Sequence, residues 1–220
     1  MKKRTNIIIA VVTVVAFGLF VKYIYLPYAA QQDQVNKVTD AVQASHLLRE
    51  PTKQVPPFSF TNMDGKTITQ KDLEGKVYVA DFFYTSCEAF CPRMSTQLSK
   101  VQNTVNKSEP FRIVSFSLDP VDSAEQIRHF ANMYHANDSI WYFLYGDADK
   151  IYDLGKNGFL QTVVTDSAAF VNHSQKFVLV DKAGWIRGFY NGLDTTDVAL
   201  MIRDIDYLMF KDDAHAGENN

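Results

Sequence analysis

Residues 76–94 carry the sequence KVYVADFFYTSCEAFCPRM, in which a strand, a turn with two cysteines and the start of a helix follow one another. The apolar run from Lys76 to Tyr84 is almost continuous, which is typical of a strand buried on both faces of a sheet. Pro92 fits the first position of a helix, where its missing N–H is no loss. The sequence therefore predicts that Cys87 and Cys91 lie beyond the end of a central strand, beside the amino terminus of a helix.

The elements around these residues alternate between strands and helices. Apolar side chains repeat at helical spacing over 92–106, and the following runs predict strands over 111–118 and 140–145 and helices from Ser123 and over 147–157. Hairpins are predicted over 58–69 and 177–190, and a last helix over 195–211. This order predicts an α/β fold with a mixed, mostly parallel central sheet that is flanked by helices.

Composition and charge describe one ordinary globular domain behind a basic amino terminus. Of the 220 residues, 46% are hydrophobic and 21% are charged, which excludes a wholly disordered or collagen-like chain. The formal net charge of −3 is uneven, because residues 1–28 hold four bases and no acid, which leaves 18 bases and 25 acids, or −7, for the remaining residues. An acidic domain repels a phosphate backbone, so no nucleic-acid partner is expected.

The amino terminus has the pattern of a membrane anchor. Lys2, Lys3 and Arg4 precede the uncharged residues 7–21, and apolar and tyrosine residues continue to Tyr28. As a helix that rises about 1.5 Å per residue, this segment is long enough for a bilayer core. The alternative is a cleaved signal peptide, for which the residues after the run form a poor cleavage site. We expect an uncleaved transmembrane helix.

Both interpretations export the acidic domain. Because the basic end of an anchor stays in the cytoplasm, we expect a single-pass inner-membrane protein whose carboxyl-terminal domain lies in the periplasm. No Arg-rich presequence precedes the anchor, so the mitochondrial intermembrane space is the less favoured location. The predicted organisation is an anchor over 1–28, a polar stalk over 29–53, a globular domain over 54–210 and a polar tail over 211–220.

The two cysteines are the candidate site of chemistry. They are the only cysteines of the chain and are four residues apart, so both sulfurs can face one way across a turn. Outside the cytosol such a pair forms a structural disulfide, acts as a redox couple or binds a soft metal. A disulfide across so short a loop would add little stability. The helix dipole is expected to favour the thiolate forms of both residues.

A histidine is the third candidate ligand. His173 ends an irregular stretch over 158–172 and precedes a predicted strand, so it can reach the edge of the sheet where the cysteines lie. The other four histidines are most simply solvated surface residues: His46, His129, His135 and His215. Two thiolates and one imidazole suit Cu(I), whereas zinc would need a fourth ligand.

These motifs together resemble the Sco/SenC family of membrane-anchored copper-delivery proteins. The resemblance covers residues 54–210 and the anchor, and it rests on segments 85–92, 115–120 with Asp122, 172–174, 177–184 and 186–192. It implies a thioredoxin-like fold with an amino-terminal transmembrane helix. It also implies that Cys87, Cys91 and His173 bind a copper ion, as Cu(I), Cu(II) or both.

The same resemblance implies a metallochaperone rather than an enzyme. The domain would deliver copper to the binuclear copper subunit of cytochrome c oxidase, with other copper chaperones or thiol reductants as further partners. Two positions depart from the family's usual pattern: Asn172 stands where many relatives have an acid, and Glu88 adds a negative charge between the cysteines. Asp119 is a candidate second-shell or docking residue, and an Asp-Pro turn accounts for it equally well.

The main alternative is a thiol–disulfide oxidoreductase that keeps the copper-site cysteines of the oxidase reduced, with Cys87 and Cys91 as its redox pair. Thioredoxin-like reductases usually have two residues between their cysteines and a cis-proline before the next strand. Here the spacer has three residues, and residues 172–176 contain no proline. A peroxidase, with Arg93 beside a reactive cysteine, ranks third.

Overall fold

The structure is a computed structural model that describes residues 17–27, 51–105, 110–161, 163–165 and 171–215, with the backbone alone at 24, 163–165, 171–173 and 211–215. The chain divides into two compact units, 1–47 and 48–220. In the first unit, residues 17–27 are helical and include the π-helical turn Val21–Tyr25. The rest of the predicted anchor lies outside the described residues. Within the described part of the chain, no helix combines the length and the apolar character that a membrane span requires.

The second unit begins with a hairpin and continues with alternating strands and helices, as the sequence predicts. A 3-10 turn, Gln70–Leu73, follows the hairpin, and a π-helical turn, Leu154–Gly158, extends the third helix. In chain order the elements are β1 (Ser59–Asn62), β2 (Thr67–Thr69), β3 (Val77–Phe83), α1 (Cys91–Thr104), β4 (Phe111–Ser117), α2 (Ala124–Met133), β5 (Trp141–Tyr145), α3 (Ala148–Asp153), β6 (Val163–Thr165), β7 (Val171–His173), β8 (Lys176–Val180), β9 (Ile186–Asn191) and α4 (Thr195–His215). The last helix continues four residues past its predicted end.

Seven strands form one sheet in the order β2-β1-β5-β4-β3-β8-β9. The β3–β4 and β4–β5 pairs are parallel, and the other four pairs are antiparallel. The predicted mixed sheet with flanking helices is confirmed, but parallel pairs are two of six rather than the majority. The alternating strands and helices supply only these two parallel pairs. Each hairpin is antiparallel within itself, and the pairs that join the hairpins to the sheet, β1–β5 and β3–β8, are antiparallel as well.

Alternate residues of β3 enter two apolar cores on opposite faces of the sheet. Val79 and Phe83 belong to the core that α1, α2 and α4 cover. Ala80 and Phe82 belong to the core on the opposite face, which α3 covers. All seven residues of β3 are buried. The predicted central, doubly covered strand is therefore confirmed. Because β3 is fixed on both faces, the turn that follows it starts from a rigid position.

The stretch over 158–172 is more regular than the sequence predicts. β6 and β7 form an antiparallel pair in which Val163 is opposite His173 and Thr165 is opposite Val171. Strands of three residues are too short for an alternating pattern to reveal them. The backbone of His173 therefore ends a strand of a separate two-stranded sheet rather than a loop.

Gly192 packs closely against Gln175 and Phe177, in the segment that follows His173. Its N–H donates to the carbonyl of Gln175 at 2.8 Å, and a Cβ at this position would come within 2.8 Å of the Phe177 ring. Phe177 is fully buried, so the ring has little room to move. We expect Gly192→Ala to lower the free energy of unfolding by about 1–3 kcal/mol in urea denaturation. The exposed Thr195→Ala should change it much less; equal stability of both variants with wild type would contradict this packing argument.

Candidate metal centre

The two cysteines lie together at the carboxyl end of β3, as the sequence predicts. Cys87 follows the strand after three residues, and its N–H donates to the carbonyl of Tyr84 at 3.2 Å, which closes a tight turn. Cys91 is the first residue of α1, with Pro92 in the first turn of that helix. Both are buried thiols, and their side chains are in hydrogen-bonding contact with each other. The turn therefore brings the two sulfurs into direct contact.

The protonation of Cys91 differs from the prediction. Burial raises the pKa of the Cys91 thiol well above its usual range, and the hydrogen bond to Cys87 and the nearby charge of that residue raise it further. The predicted thiolate-favouring effect of the helix terminus is therefore wrong for Cys91, because removal of the thiolate from water outweighs the dipole. In the metal-free protein, the Cys91 side chain holds its proton.

Two tyrosines that the sequence analysis did not single out as site residues stand beside the thiols. The side chain of Tyr84 is in hydrogen-bonding contact with Cys87, and burial, together with this contact, raises the pKa of Tyr84. Burial also raises the pKa of Tyr134, at the end of α2, and the neighbouring cysteines raise it further. Tyr84 is next to the cysteine motif and could have been noticed. Tyr134 is brought there only by the packing of α2.

Asp122 fixes the cysteine turn to the loop after β4. Its carboxylate accepts the N–H of Thr85 at 3.1 Å and the hydroxyl of Ser117 at 2.5 Å, and the hydroxyl of Thr85 donates to its other oxygen. Asp122 is only 6% exposed. Because β3 and β4 are parallel neighbours, their following loops meet at one edge of the sheet, and Asp122 joins them there.

Asp119 lies in the same loop, and its carboxylate makes two contacts. One oxygen accepts the N–H of Val121 at 3.0 Å, as expected for an Asp-Pro turn, and the other is 3.4 Å from the hydroxyl of Ser86. Ser86 directly precedes Cys87. Asp119 thus contacts the cysteine turn, and its role in metal binding stays a prediction.

The backbone places His173 at the edge of the sheet that carries the cysteines. β8 is antiparallel to β3, with Val178 opposite Ala80, so the start of β8 is beside the end of β3. His173 precedes β8 by three residues. The side chain of His173 is outside the described part of the structure. Among the side chains that are described, no three from His, Cys, Asp and Glu gather as a metal site.

The fold and the cysteine turn define the class of this protein: a thioredoxin-like α/β domain with a thiol pair between a central strand and a helix. The model of one protein family, SCO1/SenC, matches residues 47–209. The chain therefore belongs to the SCO1/SenC family, and both the predicted family and its thioredoxin-like fold are confirmed.

Three similar proteins agree with this assignment. The SCO1 protein homolog of Bacillus subtilis is 33% identical over 156 residues, which are 69% of this chain and 81% of the homolog. A SCO1/SenC family lipoprotein from Bacillus anthracis is 34% identical, with a TM-score of 0.68 over 74% of this chain and 99% of the other. BsSco, a member of the Sco family of cytochrome c oxidase assembly proteins with an identified disulfide switch, is 31% identical, with a TM-score of 0.67 over 74% and 97% of the two chains.

One similar solved structure contains bound copper. ScoI of Bradyrhizobium japonicum with copper bound is 22% identical to this chain, with a TM-score of 0.56 over 70% of this chain and 99% of the other. At this level of identity, the likeness shows a shared fold.

Proposed function

We propose that this protein is a membrane-anchored, extracytoplasmic copper chaperone that binds copper through Cys87, Cys91 and His173. It delivers the ion to the binuclear copper site of cytochrome c oxidase during assembly. The observation that carries the proposal is the contact between two thiols in a turn fixed by the carboxylate of Asp122. Two soft ligands at fixed positions, with a histidine arriving on the same sheet edge, suit Cu(I).

The surroundings of the thiols support uptake and release of the ion. The cysteines are buried, but Ser86, Glu88 and Ala89 of the same turn are exposed, so a partner can reach the site by contacting the turn itself. Copper displaces the thiol protons as it binds. Three ligands leave a coordination position open, through which a ligand of the acceptor can join before a ligand of the donor leaves.

The family assignment and the amino-terminal sequence support the location and the partner. A basic end followed by an uncharged run is the pattern of an anchor that keeps its amino terminus in the cytoplasm. A lipoprotein relative and a relative from a family of oxidase assembly proteins are consistent with a membrane-attached protein that acts on the oxidase.

The second candidate is thiol–disulfide exchange, which the direct contact of the two sulfurs favours. Loss of two electrons and two protons to a partner disulfide joins Cys87 to Cys91 and reduces the partner to two thiols. The same step removes two ligands from copper. Redox state and copper occupancy are therefore coupled in either function.

Copper competition separates the two candidates. The reduced full chain is titrated against a Cu(I) chelator together with Cys87→Ser, Cys91→Ser and His173→Ala, with His135→Asn as a histidine control. His135 is exposed and has a φ of 53°, which asparagine also adopts readily. We expect one tightly bound Cu(I), lost in both serine variants, weakened in His173→Ala and retained in the control. A wild type that fails to hold copper but reduces a disulfide substrate would favour the second candidate.

A further inference from the structure

A groove opens directly beside the cysteine turn. Its volume is about 340 Å³, and it is formed by one residue of the turn and one side of α2: Thr85, Glu125, Gln126, His129, Phe130 and Met133. Thr85 precedes Cys87 by two residues, so the groove ends next to the proposed copper ligands. Among the described residues, neither cysteine contributes to its lining.

His129 and Met133 present their side chains on one side of this groove. They are four residues apart on α2, a spacing that puts two helical side chains about 5–6 Å apart at their Cβ atoms. His129 is exposed, and the thioether of Met133 is unusually open for an apolar residue, with 53% of Met133 exposed. The core face of the helix is formed by other residues: Ile127, Phe130 and Ala131.

Packing holds this helix against the cysteine site. The centroid of the Phe130 ring is 5.0 Å from that of Phe83, the last residue of β3, and 4.9 Å from that of the Tyr134 ring. Phe130 belongs to the same core cluster as Cys87 and Cys91, and Tyr134 packs against that cluster. Phe130 and Tyr134, which directly follow His129 and Met133 in the chain, therefore hold this part of α2 in position relative to the thiols.

We propose that the imidazole of His129 and the thioether of Met133 form a second, weak Cu(I) site that receives the ion before the cysteines do. Both groups are neutral ligands that Cu(I) accepts at low coordination number, and a helical i, i+4 pair is an established way to place two metal ligands. The pair is exposed on α2, whereas the thiols are buried, so an arriving ion can reach this site before it reaches the cysteines. Its role as an entry site rests on the proposed copper delivery, whereas its metal binding does not.

The site is tested in the full chain carrying Cys87→Ser and Cys91→Ser. Cu(I) is added in competition with a weak chelator, and the methyl resonances of the six methionines are followed by NMR. We expect one weakly bound Cu(I) and a selective shift of the Met133 methyl. Met133→Leu, which keeps the size of the side chain, and His129→Asn should each weaken binding by at least about tenfold, whereas His135→Asn should not.

The wild-type chain distinguishes this proposal from the proposed function. Two Cu(I) ions should bind, the tight one lost in the serine variants and the weak one lost in Met133→Leu. In stopped-flow mixing, Met133→Leu should slow loading of the tight site and leave its equilibrium affinity unchanged. A Met133 methyl that does not respond to Cu(I), or α2 variants that bind as well as their parent, would overturn the second site. Failure of the tight site alone would overturn only the proposed function.

Discussion

Replacement of Asp122 by alanine should lower the free energy of unfolding by about 2–4 kcal/mol, because three hydrogen bonds to one buried carboxylate disappear together. The hydroxyl of Ser117 and the N–H of Thr85 then lose their acceptor away from bulk water. The loops after β3 and β4 also lose the side chain that joins them. Urea denaturation of the reduced full chain measures the stability change.

The same variant should bind Cu(I) more weakly although Asp122 is not a proposed ligand. With the turn released, the metal has to restrict Thr85, Ser86 and Cys87 before both sulfurs can bind it. Asp119→Ala is the matched control in the same loop, since it removes one turn hydrogen bond and a longer contact of 3.4 Å to Ser86. Asp119→Ala should cost about 1 kcal/mol. Equal losses in the two variants would contradict the joining role of Asp122.

The affinity of the full chain for Cu(I) should rise about tenfold per pH unit for each thiol proton that copper displaces. The part of this pH dependence that comes from the Cys91 proton should persist beyond pH 9. Burial raises the pKa of Cys91 above the usual value of 9.0, so this thiol is still protonated where an ordinary cysteine has ionised. The metal-bound state needs the thiolate. Raising the pH therefore lowers the free-energy cost of binding until the raised pKa is reached.

From pH 7 to pH 9, the Cys91 proton alone should change the affinity about a hundredfold. Chelator competition at one-unit steps from pH 6 to pH 10, with the chelator's own protonation included, measures the slope. Buried Cys91 in the reduced, metal-free chain should also react slowly with iodoacetamide at pH 8. A Cys91 contribution to the slope that disappears between pH 9 and pH 10 would show that Cys91 ionises as an ordinary thiol.

Much of the fold could be predicted because its central signals are local. The apolar run of β3, Pro92 in the first turn of α1 and the Ser123 cap of α2 all depend on near neighbours in the chain, and the structure has each of them. The β6–β7 pair could not be predicted, since its strands are three residues long. The share of parallel pairing was overestimated because strand order across the sheet depends on contacts between distant segments.

The proximity of the two cysteines could be predicted from the sequence, but the pKa of Cys91 could not. The spacing of Cys87 and Cys91 already places the sulfurs together. The raised pKa of Cys91 depends on burial by elements that pack against the turn from distant parts of the chain. One of these is the end of α2, where Tyr134 lies 43 residues after Cys91. A helix terminus is visible in a sequence, whereas the exclusion of water from that terminus appears only after folding.

The position of β8 between β3 and β9 has a consequence for biogenesis. The edge of β3 that pairs with β8 stays unpaired until residues 176–180 have been synthesised, about a hundred residues later, and have packed against it. Until then β3, which is apolar except for Asp81, stands at the open edge of the sheet with unpaired backbone groups, where it invites aggregation. A chain truncated before β8 should therefore precipitate rather than persist as a smaller domain. The proposed ligands Cys87, Cys91 and His173 can come together only after this last hairpin has docked.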